Sequence, residues 1–96
     1  MDEKLYTIDD VEKIWKKLDK IALLAEQHDF AELAWIDAKF KPMYKDLHEN
    51  WDDHHAEVFM RYMALSLLKF DSSVASFIKE RDPYYDFFQR RIADGH

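Results

Sequence analysis

The residues best suited to bind a metal lie in segment 46–57, which holds five acidic residues and three His but no Lys or Arg. If one helix runs through this segment, His48, Asp52 and His55 are four and then three residues apart and share one helix face. Imidazole nitrogens and carboxylate oxygens are ligands of zinc, so this face is a candidate site for a divalent metal. A metal-binding function is therefore one hypothesis.

A second stripe of the segment carries only carboxylates and would suit a harder cation, at Glu49, Asp53 and Glu57. Neither stripe matches a known metal-binding signature, because the chain lacks His-Glu-x-x-His, paired Glu-x-x-His motifs and calcium-loop spacing. The simpler interpretation is an exposed acidic helix start whose carboxylates complement the helix dipole. A third is a surface that responds to pH through its His residues. We expect no resident cofactor.

Aromatic residues make up 16% of the chain, more than an ordinary small core needs. Four of them fall within five positions near the end of the chain, and the 100° steps of a helix spread them too widely for one small core to cover. Aromatic and Arg side chains are enriched at the centres of protein interfaces. The alternative is that this helix is buried inside the monomer, with its Tyr hydroxyls reaching water. We predict a contact patch made of Tyr84, Tyr85, Phe87, Phe88, Arg91 and, on an earlier helix, Trp35.

Residue types that support catalysis are sparse. The chain has no Cys, which excludes a thiol nucleophile, a disulfide and Cys-ligated zinc. Its one Gly is the penultimate residue, so no Gly-rich loop is present to cradle a phosphate. Its Ser residues lack the strand–turn–helix setting of a nucleophile elbow. We therefore predict that the protein is not an enzyme.

The charge balance argues against direct nucleic-acid binding. Twenty acidic and 14 basic residues give a net charge of −6 and a pI near 5.2, whereas phosphate binding depends on Lys and Arg. Segment 46–57 alone has the charge density of an acidic nucleic-acid mimic, which is a further alternative. The longest apolar run, Ile21–Ala25, has five residues, whereas a membrane span needs about 20. With no Cys and no apolar leader, we expect a cytoplasmic protein that contacts no membrane.

The chain is long enough for one domain, residues 1–96. One Gly and two Pro argue against a turn-rich β fold. Apolar residues recur at three- and four-residue steps along most of the sequence, which indicates amphipathic helices. We predict an all-α fold, a single compact bundle of about four to six helices joined by short loops.

The first half of the chain predicts two long helices. Thr7 and Asp10 form a capping-box pattern that starts a helix expected over Ile8–His28. The second helix contains Pro42, which introduces either a kink or a break. A further helix start is available near Asn50, although the pattern also fits a helix that runs straight through.

The second half of the chain predicts the core helix and two shorter ones. Val58–Phe70 is apolar on nearly all sides, so we expect it to be the buried central element. The chain is expected to restart at Asp71–Ser73 for a short helix. The last helix is expected to have Asp82 as its cap, Pro83 at its first position and Gly95 at its end.

These features together predict a non-enzymatic protein-binding or regulatory module, as found among small acidic inhibitors, immunity proteins and adaptors. The aromatic patch would make the contact. A second copy of the chain is the simplest partner, because one self-complementary patch then covers both surfaces. We expect a homo-oligomer or a complex with a different protein. The alternatives are a metal-binding helical protein or an acidic nucleic-acid mimic, both based on segment 46–57.

Overall fold

The computed structural model describes residues 5–24 and 30–94, and these residues form five α-helices. The helices are α1 (Ile8–Leu23), α2 (Phe30–Glu49), α3 (Asp53–Leu67), α4 (Ser73–Arg81) and α5 (Tyr85–Asp94). The expected all-α bundle is confirmed. Buried side chains from every helix form one hydrophobic cluster, from Val11 in α1 to Tyr85 in α5. None of the five helices is long and apolar enough to cross a membrane.

The capping box predicted for α1 is present. The Thr7 N–H donates to Asp10 Oδ2 at 2.9 Å, and the Asp10 N–H donates to Thr7 Oγ1 at 3.3 Å. The helical spacing buries one apolar stripe, made of Val11, Ile14, Trp15, Leu18 and Ile21. α1 ends at Leu23, and residues 25–28 of its expected range lie outside the described residues.

α2 is one continuous helix with Pro42 in its interior, so a break at this residue is the wrong expectation. Pro42 has no N–H to donate to the carbonyl of Ala38, four residues earlier. Both residues are exposed, and water can therefore bond the free carbonyl. Phe40 and Leu47 are buried on either side of Pro42, which holds both halves of the helix against the core.

α3 packs against each of the other four helices, which confirms it as the central element. Six of its side chains are buried, namely Ala56, Phe59, Met60, Met63, Ala64 and Leu67. The Phe59 ring joins three helices, since its centroid lies 6.4 Å from that of Trp15 and 6.0 Å from that of Phe40. The helix begins at Asp53, before the expected Val58. It ends at Leu67, before the expected Phe70, because residues 68–70 form a turn.

The chain leaves the helical conformation at residues 50–52, between α2 and α3. Asp52 is the N-cap of α3 and has an extended backbone, with φ −140° and ψ 121°. Its Oδ1 accepts a hydrogen bond of 3.0 Å from the His55 N–H, and this bond lowers the pKa of Asp52. The alternative of a helix running straight through is therefore wrong, because a capping Asp favours an extended backbone.

Asp82 organises the junction between α4 and α5. Its Oδ1 accepts a 2.9 Å hydrogen bond from the Tyr84 N–H, and its carbonyl oxygen accepts one of 3.1 Å from the Tyr85 N–H. α5 therefore begins at Tyr85 and not at Pro83, because Asp82 first closes a turn. The expected end of the helix at Gly95 lies outside the described residues.

Ion pairs on the buried carboxylates of Asp82 and Asp10 tie this junction to the rest of the bundle. The Asp82 side chain has no exposed surface, and Arg61 of α3 meets it with Nε at 2.5 Å and Nη2 at 3.2 Å. The same Nη2 donates to Glu57 at 3.2 Å. At the end of α4, Arg81 Nη1 donates to Asp10 Oδ2 at 2.9 Å. These groups fix the positions of α1, α3 and the α4–α5 junction relative to one another.

The Tyr6 hydroxyl has no hydrogen-bond partner, alone among the buried side-chain polar atoms of the described residues. Tyr6 is 2% exposed and belongs to the hydrophobic cluster. Burial, and then the negative charge of Asp82, raise the pKa of Tyr6 above its ordinary value of 10.0. The folded state therefore holds this hydroxyl neutral and desolvated.

The variant Tyr6→Phe is expected to be more stable than the parent by about 1–2 kcal/mol at pH 7, because it removes an unpaired buried hydroxyl. The difference should grow above pH 10, where the unfolded chain loses the Tyr6 proton before the folded chain does. Stability of the parent is thus expected to fall as the pH rises past that value, and that of the variant to fall less. Urea denaturation at pH 7 and above pH 10 measures the difference in unfolding free energy between the two chains. A less stable variant would show that the Tyr6 hydroxyl is hydrogen-bonded in solution.

Candidate functional site

One side of α5 presents aromatic side chains to solvent. Tyr84 and Phe87 are 65% and 60% exposed, and Arg91 is also exposed. Phe88 is half-buried and meets Tyr62 of α3 edge-on, with ring centroids 5.4 Å apart. Phe87, Phe88 and Arg91 share one side of α5, since Arg91 is four and three residues after the two rings. Tyr84 lies in the turn just before α5, where its carbonyl oxygen accepts a 2.9 Å hydrogen bond from the Phe88 N–H.

Tyr85 does not belong to this surface, and its predicted place in the contact patch is wrong. It is 3% exposed and is part of the hydrophobic cluster. Successive helix residues are about 100° apart, so the outward positions of Tyr84 and Phe87 direct Tyr85 inward. Burial, followed by the charge of Asp86, raises the pKa of Tyr85. This ring anchors α5 on the bundle.

Trp35 of α2 extends the exposed aromatic surface across the bundle. It is 57% exposed, and the Nζ of Lys39, one turn later, lies 4.8 Å from the centroid of its ring. The same ammonium lies 5.7 Å from the ring of Tyr62 in α3. Tyr62 in turn contacts Phe88 of α5. A continuous series of contacts therefore leads from α2 over α3 to α5.

We term this surface the aromatic strip, and it consists of Trp35, Lys39, Tyr62, Tyr84, Phe87, Phe88 and Arg91. Sequence reasoning missed Tyr62 and Lys39. In the apolar run of α3, the hydroxyl of Tyr62 is a sign that the tip of the ring reaches water. For Lys39 the sign is its position four residues after Trp35, where an ammonium reaches the face of the ring.

The three predicted metal ligands do not come together. His48 lies in the last turn of α2, and its Nε2 is 3.6 Å from Glu12 Oε1 of α1. Asp52 caps α3, and His55 follows in the first turn of that helix. The prediction that these three residues share one helix face is wrong, because it required a continuous helix through residues 50–52. Within the described ranges, no group of three or more His, Asp and Glu side chains could hold a metal ion.

The carboxylate stripe is divided at the same place. Glu49 ends α2, whereas Asp53 begins α3 and accepts a 2.7 Å hydrogen bond from Trp51 Nε1. Glu57 pairs with Arg61. The alternative of a site for a harder cation therefore lacks the continuous helix face on which it depended.

A shallow groove between α1 and α4 is another concave feature of the surface. Its volume is about 250 Å³, and its lining consists of Asp10, Lys13, Ile14, Lys17, Ser73 and Phe77. Lys17 bridges the two helices, with its Nζ 3.0 Å from Ser73 Oγ and 3.7 Å from Asp71 Oδ2. These polar groups therefore hold α1 and α4 together.

Comparison with protein-family models, with curated proteins and with solved structures found no match for this chain. Within the described part of the chain, the aromatic strip combines exposed rings from three helices with two exposed cations. We take this strip as the candidate functional site.

Proposed function

We propose that this protein is a non-enzymatic protein-binding or regulatory module and that the aromatic strip is its contact surface. The observation that supports this proposal is the exposure of one ring on each of α2, α3 and α5, namely Trp35, Tyr62 and Phe87, on helices that Lys39 and Phe88 link through contacts with Tyr62. Large exposed apolar patches mark interaction sites, and aromatic and Arg side chains dominate binding energy at interface centres. The lack of Cys agrees with a cytoplasmic location, which we include in the proposal.

The size of the strip fits a small interface. Its four most exposed rings are 37–65% exposed and together present about 400 Å² of surface. A stable complex buries about 800 Å² on each partner. The rings supply about half of such an area, and half-buried neighbours of Tyr62 on α3, such as Val58 and Leu65, extend it. A weak or transient complex is the best match.

A second copy of this chain is one possible partner for the strip, and homo-oligomerisation remains a prediction. A two-fold dimer would cover both strips with a single contact. A different protein is the other possible occupant. Metal binding and nucleic-acid mimicry both depend on segment 46–57, which the break at residues 50–52 divides between two helices, and we do not adopt them.

Removing rings from the strip is expected to weaken association without unfolding the chain. In the double variant Trp35→Ala with Phe87→Ala, both truncated rings are largely exposed, so the helical circular-dichroism spectrum should not change. Two anchor rings together account for at least about 30-fold in affinity. Native mass spectrometry and sedimentation equilibrium over a concentration series measure the dissociation constant.

Phe30→Ala is the matched control for this experiment. Phe30 is 64% exposed on α2, but it lines a groove shared with α1 and lies away from the strip. Its truncation should leave association unchanged. If the parent associates, equal weakening in the control and the double variant, or none in either, would show that the strip is not the contact surface. A parent chain that stays monomeric at every concentration would exclude the second copy as occupant.

A further inference from the structure

Three carboxylates near the aromatic strip are engaged within the molecule, whereas Asp86 of α5 is exposed and has no ion pair among the described side chains. Glu32 of α2 pairs with Lys69 of α3. Glu57 and the fully buried Asp82 both pair with Arg61. Because these carboxylates already accept from internal cations, they have little capacity left to pair with a binding partner.

The two cations of the strip differ from these groups. Neither Lys39 nor Arg91 has an ion pair among the described side chains. The Lys39 ammonium lies over the rings of Trp35 and Tyr62 at 4.8 and 5.7 Å, which positions it between two helices while its N–H groups remain able to donate. These two cations outnumber the exposed carboxylate of Asp86 beside them, so the strip is locally positive on a chain whose net charge is −6.

We infer that the strip binds an acidic amphipathic segment of another protein, an inference that rests on the proposed function. The apolar side chains of that segment cover the rings, and its carboxylates pair with Lys39 and Arg91. A second copy that met the strip with its own strip would bring these cations toward like charges. Charge complementarity thus favours the acidic partner over a two-fold dimer.

The architecture favours a helical partner segment. The described residues contain no β-strand, so they offer no sheet edge for main-chain pairing. Recognition must then depend on side chains, and an amphipathic helix laid against other helices is the common solution for such a surface. Apolar residues three and four positions apart, with carboxylates on both flanks, would match rings that are bordered by cations.

Two synthetic helical peptides test the inference on the full chain. The peptides share one leucine face and differ only in carrying glutamate or lysine at the flanking positions. Each is titrated into ¹⁵N-labelled protein and followed by NMR. The glutamate peptide is expected to shift the signals of Trp35, Tyr62 and Phe87, with a dissociation constant about tenfold lower than that of the lysine peptide. Added salt should reduce this preference.

Charge reversal on the strip provides the second part of the test. Lys39→Glu with Arg91→Glu is expected to invert the preference, so that the lysine peptide binds more tightly. The matched control is Lys41→Glu with Lys45→Glu, because both residues are exposed on another face of α2 and the change in net charge is the same. This control should change either dissociation constant by less than about twofold.

The outcomes separate this inference from the proposed function. If the lysine peptide binds the strip as tightly as the glutamate peptide, or if the control pair removes the preference equally, the inference is overturned while the strip remains a contact surface. If neither peptide shifts the signals of the strip, the inference is overturned, and the association measurements decide the proposed function. If both peptides shift signals only elsewhere on the surface, the inference is also overturned, and the association measurements again decide the proposed function.

Discussion

The variant Asp82→Ala is expected to lose about 3–5 kcal/mol of its free energy of unfolding. The Asp82 side chain is fully buried and accepts two hydrogen bonds from Arg61. Its removal leaves a guanidinium in the interior with Glu57 as its remaining counter-charge, and it also removes the acceptor for the Tyr84 N–H. Urea denaturation followed by circular dichroism measures the change. Since domains are stable by only about 5–15 kcal/mol, this variant should be close to unfolding.

Two further variants make the result interpretable. Asp86→Ala removes an exposed carboxylate four residues later and should stay within about 0.5 kcal/mol of the parent. Arg61→Met with Asp82→Ala removes both charges of the buried pair and should cost less than the two single changes added together. If Asp82→Ala were as stable as Asp86→Ala, the ion pair would contribute no net stability.

The variant Phe59→Ala is expected to cost about 3–5 kcal/mol of unfolding free energy. Phe59 is completely buried, and its ring lies between those of Trp15 and Phe40, which belong to two other helices. Truncation therefore leaves a cavity where three helices meet, and the surrounding rings can fill it only in part. Thermal and urea denaturation both measure the loss.

Phe87→Ala is the matched control for this substitution. The same chemical change at an exposed ring of the strip should alter the free energy of unfolding by about 0.5 kcal/mol or less. The pair therefore separates rings that hold the fold from rings that are available to a partner. A similar cost at both positions would show that Phe87 is packed in solution, and it would remove this ring from the strip.

Much of the fold was predictable because local preferences and periodicity agree. At the start of α1, the Thr7–Asp10 pair caps the same helix whose apolar residues recur at three- and four-residue steps. The run that forms α3 is apolar on nearly all sides, and such a helix can only be stable when other helices surround it. Both features follow from residues close together in the sequence.

The wrong predictions about helix boundaries lie where the conformational preference of one residue competed with the periodic pattern of apolar residues. At Asp52 the capping preference prevailed and ended a helix that the pattern allowed to continue. At Pro42 the packing of Phe40 and Leu47 prevailed, and the helix continued through a residue that often breaks one. The burial of the Tyr85 side chain depends on which side of α5 faces the core, and the turn that Asp82 closes sets that orientation.

The candidate site was partly predictable for a related reason. An excess of aromatic residues on one short helix is visible in the sequence, and it gave Tyr84, Phe87 and Phe88. The position of Tyr62 between the exposed rings of α2 and α5 depends on which side of α3 its neighbours leave uncovered. That information arises only when three helices pack together.

The double role of Asp82 has a consequence for how binding and folding depend on each other. The carboxylate that neutralises Arg61 in the interior also fixes where α5 begins, and hence which rings face outward. Folding of the chain and exposure of the strip are therefore linked equilibria. A ligand that binds only the folded chain then raises the stability of that chain by mass action. A substitution inside the bundle that contacts no residue of the strip would then change the apparent affinity for a partner, because it changes the fraction of chains that are folded.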